Sequence, residues 1–556
     1  MIRRQFLARA LSAAAASLFA RSAFAQHDAH SMHKMSGMDD MGDMDMSGMP
    51  SMSAHQAAKP ATAVLAAPDA LPAGAPLATL RTLANESREP GVFRATLIAQ
   101  PVKRKLLPGK PSTTFWQYDE GNHPGSANAR VTQTEGPVVG PLIDVREGDT
   151  VEIRFVNRLP QASTIHWHGL PVPPDQDGNP STPVASGASH VYRFTLPPGS
   201  AGTYWYHPHP HMMSAEQVFR GLAGPIVVRS ADDPLAGWPE RHLFFSDLKL
   251  ASDGVIPPND MMDWMNGREG QFVLVNGARR PRIEIAKDER WRLWNGCSAR
   301  YLRFSLGDER HFAQVGTDGG LLEQPRDGLT ELLLAPGERA EVIVRAGANP
   351  SRAVLSADVY DRRKMAMSHG SLPPDPVRAL ADISFNPPPG ASARELPATL
   401  RPVAPLGTAV AKKSVVFSEQ MDMVAMHGPK ASAGHGNTHG STMPAGMTFM
   451  INGQVFDPSR ITFTSRRDEV ELWSIENRAD MDHPFHLHGT QFQIVERGWG
   501  GAFTPEPYRA WRDTVNVRPD EIVRIATVQR MAGERMFHCH ILEHEDLGMM
   551  GTLKVV

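Results

Sequence analysis

Cysteine is nearly absent. The 556 residues hold two, Cys297 and Cys539. A disulfide framework is therefore excluded as the source of stability, and if either cysteine binds a metal no intramolecular disulfide can form at all. Cys297, in WNGCSARYLRF, reads as a buried structural thiol. Long apolar runs are lacking too. The longest near the start, Ala10 to Ala20, is too short to span a bilayer, and no later stretch is longer. An excess of positive charge is also missing. With 57 basic and 60 acidic residues the formal charge is −3, and loss of the four arginines in the first 25 residues would bring it to −7. That balance argues against nucleic acid or an anionic membrane as partner.

Glycine and proline are abundant, at 47 each. Both suit many short strands joined by turns. The length predicts about three domains. Residues 1–25 read as an export signal: Arg3-Arg4-Gln5-Phe6-Leu7 is a twin-arginine pattern, and Ala23-Phe24-Ala25 an A-x-A cleavage site. The expectation is a periplasmic protein delivered by the twin-arginine machinery, with no stable membrane association. Residues 26–85 form an arm expected to be disordered. Eight methionines fall between Met32 and Met52, among Ser, Gly and Asp. Thioethers are soft ligands that select Cu(I), so the arm reads as a copper-capturing segment holding additional, labile copper.

One pattern then recurs three times. Residues 143–157 (IDVREGDTVEIRFVN), 283–295 (IEIAKDERWRLWN) and 461–477 (ITFTSRRDEVELWSIEN) each read strand, charged turn, strand, asparagine. A sub-motif repeated at domain-sized spacing implies three copies of one fold. The period-two alternation makes that fold all-β, with Greek-key β-sandwiches expected over residues 86–233, 234–395 and 396–556. The third copy carries a Met/His-rich insertion, residues 419–447, expected to be an exposed loop.

The chemistry lies in histidine doublets. His166/His168, His207/His209, His486/His488 and His538/His540 are each spaced so that, on a strand, both imidazoles share a face. Eight imidazoles suit a cluster of three coppers. The last doublet brackets Cys539, whose side chain must point the other way. His544 follows five residues later and Met549 five after that. One thiolate, imidazole and a weak thioether are the ligand types of a blue copper site. His483 and His544 remain to complete it. One segment would thus join a one-electron copper to a second metal cluster. His190, His211, His242 and His311 fit no pair.

From IHWHG through HCHILEHEDLGMM, and over residues 86–556, the chain resembles three-domain multicopper oxidases. YHPHPHMMSAEQVFRGLAG and HCHILEHEDLGMM look most like the bacterial copper-efflux (cuprous) oxidases and bacterial laccases. The resemblance implies three cupredoxin domains and four copper ions. It assigns a type 1 copper to His483, Cys539, His544 and Met549, and a type 2 copper to His166 and His486. The type 3 pair falls to His168, His207, His209, His488, His538 and His540. It implies one-electron oxidation of a substrate, Cu(I) or a small aromatic, coupled to reduction of O2 to water. Four protons are consumed, and Asp177 and Glu545 match the family's proton-supplying acids. Met481 matches a substrate Cu(I) ligand, with Asp480 and Asp482 beside it and Met421, Asp422 and Met423 as further candidates. The family's acid lies one position earlier, where this chain has Ala479. The same motifs leave two other readings open: a laccase acting on phenols or diamines, and a copper-sequestering protein.

Overall fold

The structure, a computed structural model, describes residues 63–121, 132–133, 138–307, 310–367, 370–422, 425 and 443–556. The signal, the methionine run, Met423 and most of the 419–447 insertion lie outside the described residues. Six sheets pair into three sandwiches. In the first, the sheet of Val92–Arg104, Thr113–Glu120, Thr132–Gln133, Thr150–Asn157 and Ser189–Thr195 shares a core with that of Ile143–Arg146, Gly202–Tyr206 and Gly224–Arg229. The second sandwich runs from Glu240–Leu248 to Arg378–Phe385, and the third from Ala411–Met421 to Met550–Val555. This is a cupredoxin-like all-β architecture.

Sequence alternation explains the layering. In Thr150–Asn157 the residues Val151, Ile153, Phe155 and Asn157 are buried while their neighbours face outward. Each such fully buried apolar side chain contributes about 1.5–3 kcal/mol. In the second copy, Glu289–Asn295 is buried on both faces.

The repeated asparagine explains why three copies share one fold. Asn157 Nδ2 donates to the carbonyls of Gln161 and Val184, both at 2.9 Å. Asn295 does the same to Arg300 (2.8 Å) and Leu334 (3.0 Å), and Asn477 to Met481 (2.8 Å) and Val517 (2.9 Å). In each copy Oδ1 accepts from the backbone N–H two residues on. A buried amide clamps the same loop three times. The strand that it ends also pairs in parallel with the first strand of its sandwich in all three copies.

The expectation of a disordered arm as far as residue 85 fails for residues 63–85. These lie extended along the first two sandwiches, bridging Leu65 to Ala251, Ala73 to Arg279, Pro76 to Arg282 and Thr82 to Leu142. Their Ala/Pro composition shows no period because they form single bridges, not a sheet. Leu71, Leu80 and Leu83 nevertheless bury their side chains. Among the described residues, no helix is long and apolar enough to cross a membrane.

Candidate metal centres

Two centres form: a polynuclear one where the first and third sandwiches meet, and a mononuclear one within the third. The doublets do not lie wholly within strands as expected; only His486 and His538 do. The doublets sit where strands give way to turns. His166 and His207 bridge each other, His207 directly after the strand Gly202–Tyr206, and His486 stands across from His538 where Phe485–Leu487 pairs with Phe537–Cys539. All eight doublet imidazoles are buried.

Hydrogen bonds fix which nitrogen faces inward in five of the eight rings. His166 Nδ1 lies 3.1 Å from the Asp177 carbonyl, His486 Nδ1 2.8 Å from that of Asp513, His207 Nδ1 3.0 Å from that of Pro208, and His538 Nδ1 2.9 Å from that of Cys539. A carbonyl only accepts, so each Nδ1 carries the proton and each Nε2 a lone pair. Those Nε2 atoms nonetheless face one another. His166 and His486 are 3.4 Å apart, and His538 lies 3.1 Å from His488 and 3.2 Å from His209. His168 is reversed: its Nε2 meets Asp513 Oδ1 at 2.9 Å, and its Nδ1 turns toward His207 Nε2 at 3.4 Å. Lone pairs held head to head in a dry interior repel unless a cation lies between them. The donor set therefore fits metal ions, and soft-to-borderline ones, since it is all imidazole. Burial also drives these rings toward neutrality, with His538 down to about 3 and His168, His207, His209, His486, His488 and His540 held well below the usual imidazole range. Neutral imidazole is the ligand form. The outward partners orient the rings as second-layer groups do at metal sites.

The mononuclear centre is built around Cys539. His483 Nδ1 stands 3.3 Å from its Sγ and 3.3 Å from His544 Nδ1. The Cys539 amide donates to the Met549 carbonyl and the Met549 amide to that of His544, which closes the loop bearing all three. Met549 is buried. Phe449 stacks on His544 at 3.9 Å, and His544 Nε2 faces the Met265 carbonyl at 3.2 Å. Burial pushes the Cys539 thiol up, so an apolar pocket alone would keep it protonated. A bound cation would reverse that.

Both expected acids lie beside the cluster. Asp177 Oδ2 is 3.1 Å from His488 Nδ1, and its Oδ1 3.1 Å from His166 Nδ1. Glu545 Oε2 is 3.2 Å from His538 Nδ1 and its Oε1 3.5 Å from His209 Nε2. Burial raises both carboxyls, and the neighbouring Asp546 pushes Glu545 further.

The candidate Cu(I) residues are not gathered. Asp482 is buried and accepts from Tyr360 Oη (2.5 Å) and Asn516 Nδ2 (2.7 Å). Met481 is buried with its sulfur 3.9 Å from Arg362 Nη1. Asp480 is exposed, and Asp422 Oδ1 caps the Ala425 amide. Asn477 Nδ2 holds the Met481 carbonyl at 2.8 Å. Met212, Met261, Met262, Met365, Met367 and Met421 pack, half-buried, against the core holding Cys539. Sequence reasoning named Met421 and missed the other five, which come from three distant segments. It also missed Asp513 and Arg339, which no doublet flags.

A paired mononuclear and polynuclear imidazole centre on cupredoxin-like sandwiches defines a copper-dependent oxidoreductase. Residues 116–233 and 429–556 each match the multicopper oxidase family. The multicopper oxidase mco of Staphylococcus haemolyticus is 32% identical over 431 residues, covering 76% of this chain and 83% of that protein. The cell division protein FtsP of Photorhabdus laumondii is 27% identical over 462 residues, covering 79% and 87%. Among solved structures, a multicopper oxidase from Campylobacter jejuni described as a metallo-oxidase superposes with a TM-score of 0.78 at 41% identity, covering 89% of this chain and 98% of that one. The chain belongs to the multicopper oxidase family. It is an oxidoreductase of the kind that couples a reducing substrate to O2.

Proposed function

We propose that this is an exported, periplasmic cuprous oxidase that takes Cu(I) to Cu(II), reduces O2 to water and serves copper tolerance. The observation that carries the substrate is the set of six half-buried methionines around the Cys539 core. Thioethers there would hold Cu(I) beside the point of electron entry. The Campylobacter jejuni relative, described as a metallo-oxidase, supports the same reading.

In this reading four coppers are bound. The type 1 ion takes His483, Cys539, His544 and axial Met549. The type 2 ion takes His166 and His486. One type 3 ion takes His168, His207 and His540, and the other His209, His488 and His538. The facing lone pairs support that partition. Bound copper would supply one-electron oxidation at Cys539 and four-electron chemistry at the cluster. The strand Gly533–Cys539 then joins the two, with Cys539 turned to one and His538 to the other. Four protons are needed per O2, and Asp177 and Glu545 can hold them at carboxyl oxygens that lie against imidazoles. Asp177 spans His166 and His488, while Glu545 spans His209 and His538.

A laccase is the second reading. The buried Met481 and the hydrogen-bonded Asp482 leave the family's Cu(I) position closed, which favours organic reductants. Oxygen uptake with Cu(I) against dimethoxyphenol, with and without added Cu(II), separates the two. Fast uptake with Cu(I), and phenol turnover only with added Cu(II), is the result expected. Fast phenol turnover without added copper, and little with Cu(I), overturns the cuprous assignment.

A further inference from the structure

Among the described residues the second sandwich contributes no imidazole to the cluster, yet it holds two of them. Arg339 opens the strand Arg339–Val344. Its guanidinium forks onto Asp513, Nη1 to Oδ1 at 2.7 Å and Nη2 to Oδ2 at 2.6 Å. Its Nε donates to the Thr203 carbonyl at 2.9 Å and its backbone N–H to Asp318 Oδ1 at 2.7 Å. Asp513 Oδ1 is the atom 2.9 Å from His168 Nε2. Two positions upstream, Gly337 lies against the His540 ring. A Cβ there would stand 3.0 Å from three ring carbons, and the residue has a φ of +84°. Gly337 is fixed in turn by its amide, which donates to the Asn295 carbonyl at 2.9 Å. Gly169 completes the fit, because a Cβ on it would fall 2.2 Å from Asp513 Oδ2 and 2.6 Å from Arg339 Nη2.

These two imidazoles need such support. His166, His207, His486 and His538 are each oriented by a nearby carbonyl and present Nε2. His168 presents Nδ1, and only the Asp513 carboxylate, with the Thr514 hydroxyl at 3.2 Å, marks its Nε2 as the protonated atom. Neither ring nitrogen of His540 has a hydrogen-bond partner, so packing alone sets its direction. The two rings are neighbours, with centroids 4.9 Å apart.

We infer that the Gly337–Arg339 segment is a positioning element for one corner of the cluster, that of His168, His207 and His540, and that loosening it empties this corner before any other. This rests on reading the eight imidazoles as a three-copper cluster. Arg339 forks Asp513, Asp513 selects the His168 tautomer, and Gly337 walls His540. The second sandwich thus sets the geometry of one type 3 site.

Arg339→Lys and Gly337→Ala test it in the full chain. Lysine keeps the charge but cannot fork. The alanine alters no charge and touches only His540. Copper per chain, the blue absorption and the electron paramagnetic resonance spin count are measured on wild type and both variants during dialysis against a chelator. Loss of an orienting group beside a metal ligand weakens metal binding roughly 10–100-fold. The expected result is faster loss of one copper, an unchanged blue band, and a new resonance from the type 3 copper left without its spin-coupled neighbour. The blue band also reports that each variant is folded. Should Arg339→Lys fail to fold, Gly337→Ala carries the test. Copper lost evenly from both centres, or full copper with no new resonance, overturns the inference. A wild type that loads no spin-coupled pair sinks the underlying reading instead.

Discussion

Asn295→Ala is the sharpest test of how this fold is held together. The asparagine amide makes three bonds, from Nδ2 to the carbonyls of Arg300 and Leu334 and to Oδ1 from the Cys297 amide. Arg300, Leu334 and Cys297 are all buried. Alanine would leave two carbonyls and one N–H without a partner and without water. Each net hydrogen bond contributes about 0.5–1.5 kcal/mol, and each buried orphan costs about 1–3 kcal/mol. Relaxation recovers part of the loss, so about 3 kcal/mol is expected for the set. In a sandwich of this size a loss of about 3 kcal/mol lowers the melting temperature by roughly 6–12 °C. Calorimetry of the copper-free protein would show that drop in one transition. Asn477→Ala should cost a similar amount and also disturb the blue absorption, because its Met481 partner lies two residues before His483. A cost below about 1 kcal/mol for Asn295→Ala would refute the clamp, given the size of each lost bond. So would bleaching of the blue band by Asn295→Ala but not by Asn477→Ala.

Four further outcomes are expected. Cys539→Ser should abolish both the blue colour and oxygen turnover; surviving turnover would exclude Cys539 from electron entry. Met549→Leu should raise the type 1 potential, since a weaker axial ligand tunes it that way; redox titration showing no change would remove Met549 from the ligand set. Burial raises the Glu543 carboxyl to about 7, above its usual value, so its contribution to stability is present at low pH and lost as pH rises through about 7. Glu543→Gln should therefore melt above wild type at pH 8 and lose that advantage by pH 5 in copper-free protein; a pH-independent difference would count against it. Deleting residues 26–60 should leave the melting temperature unchanged and weaken copper capture, whereas deleting 26–85 should lower it, because Leu71, Leu80 and Leu83 are buried; equal melting of the two truncations would contradict the packing of 63–85.

The repeat and the doublets were legible for one reason: both are local. Strand, turn, strand and asparagine fall within about fifteen residues, and each His-x-His within three. Period two reads directly as a sheet face. What was illegible depends on contacts between distant segments. Arg339 and Asp513 lie 174 positions apart. Met212, Met261 and Met365 come from distant segments and share only the core that they pack against. The match of Met481 to the family is positional, while its environment is set by Arg362, 119 residues away. The linker at 63–85 is the opposite case. Its composition suits disorder, but single bridges and three leucines anchor it.

The three asparagines pair every polar atom that they bury, whereas in the cluster imidazole lone pairs face lone pairs across 3.1–3.4 Å. No sequence selected for stability alone would keep that arrangement, because replacing the rings with apolar side chains would remove the repulsion. The fold tolerates it because each of the four carbonyl-oriented rings is anchored from outside, and because the sandwiches around it are independently well packed. His540 is the exception, with no outside anchor on either nitrogen. The place where the protein is least satisfied without metal is therefore also where an imidazole is held by shape alone. That shape comes from Gly337 of the second sandwich, which gives a domain with no cluster imidazole a physical reason to be retained beside two that have them.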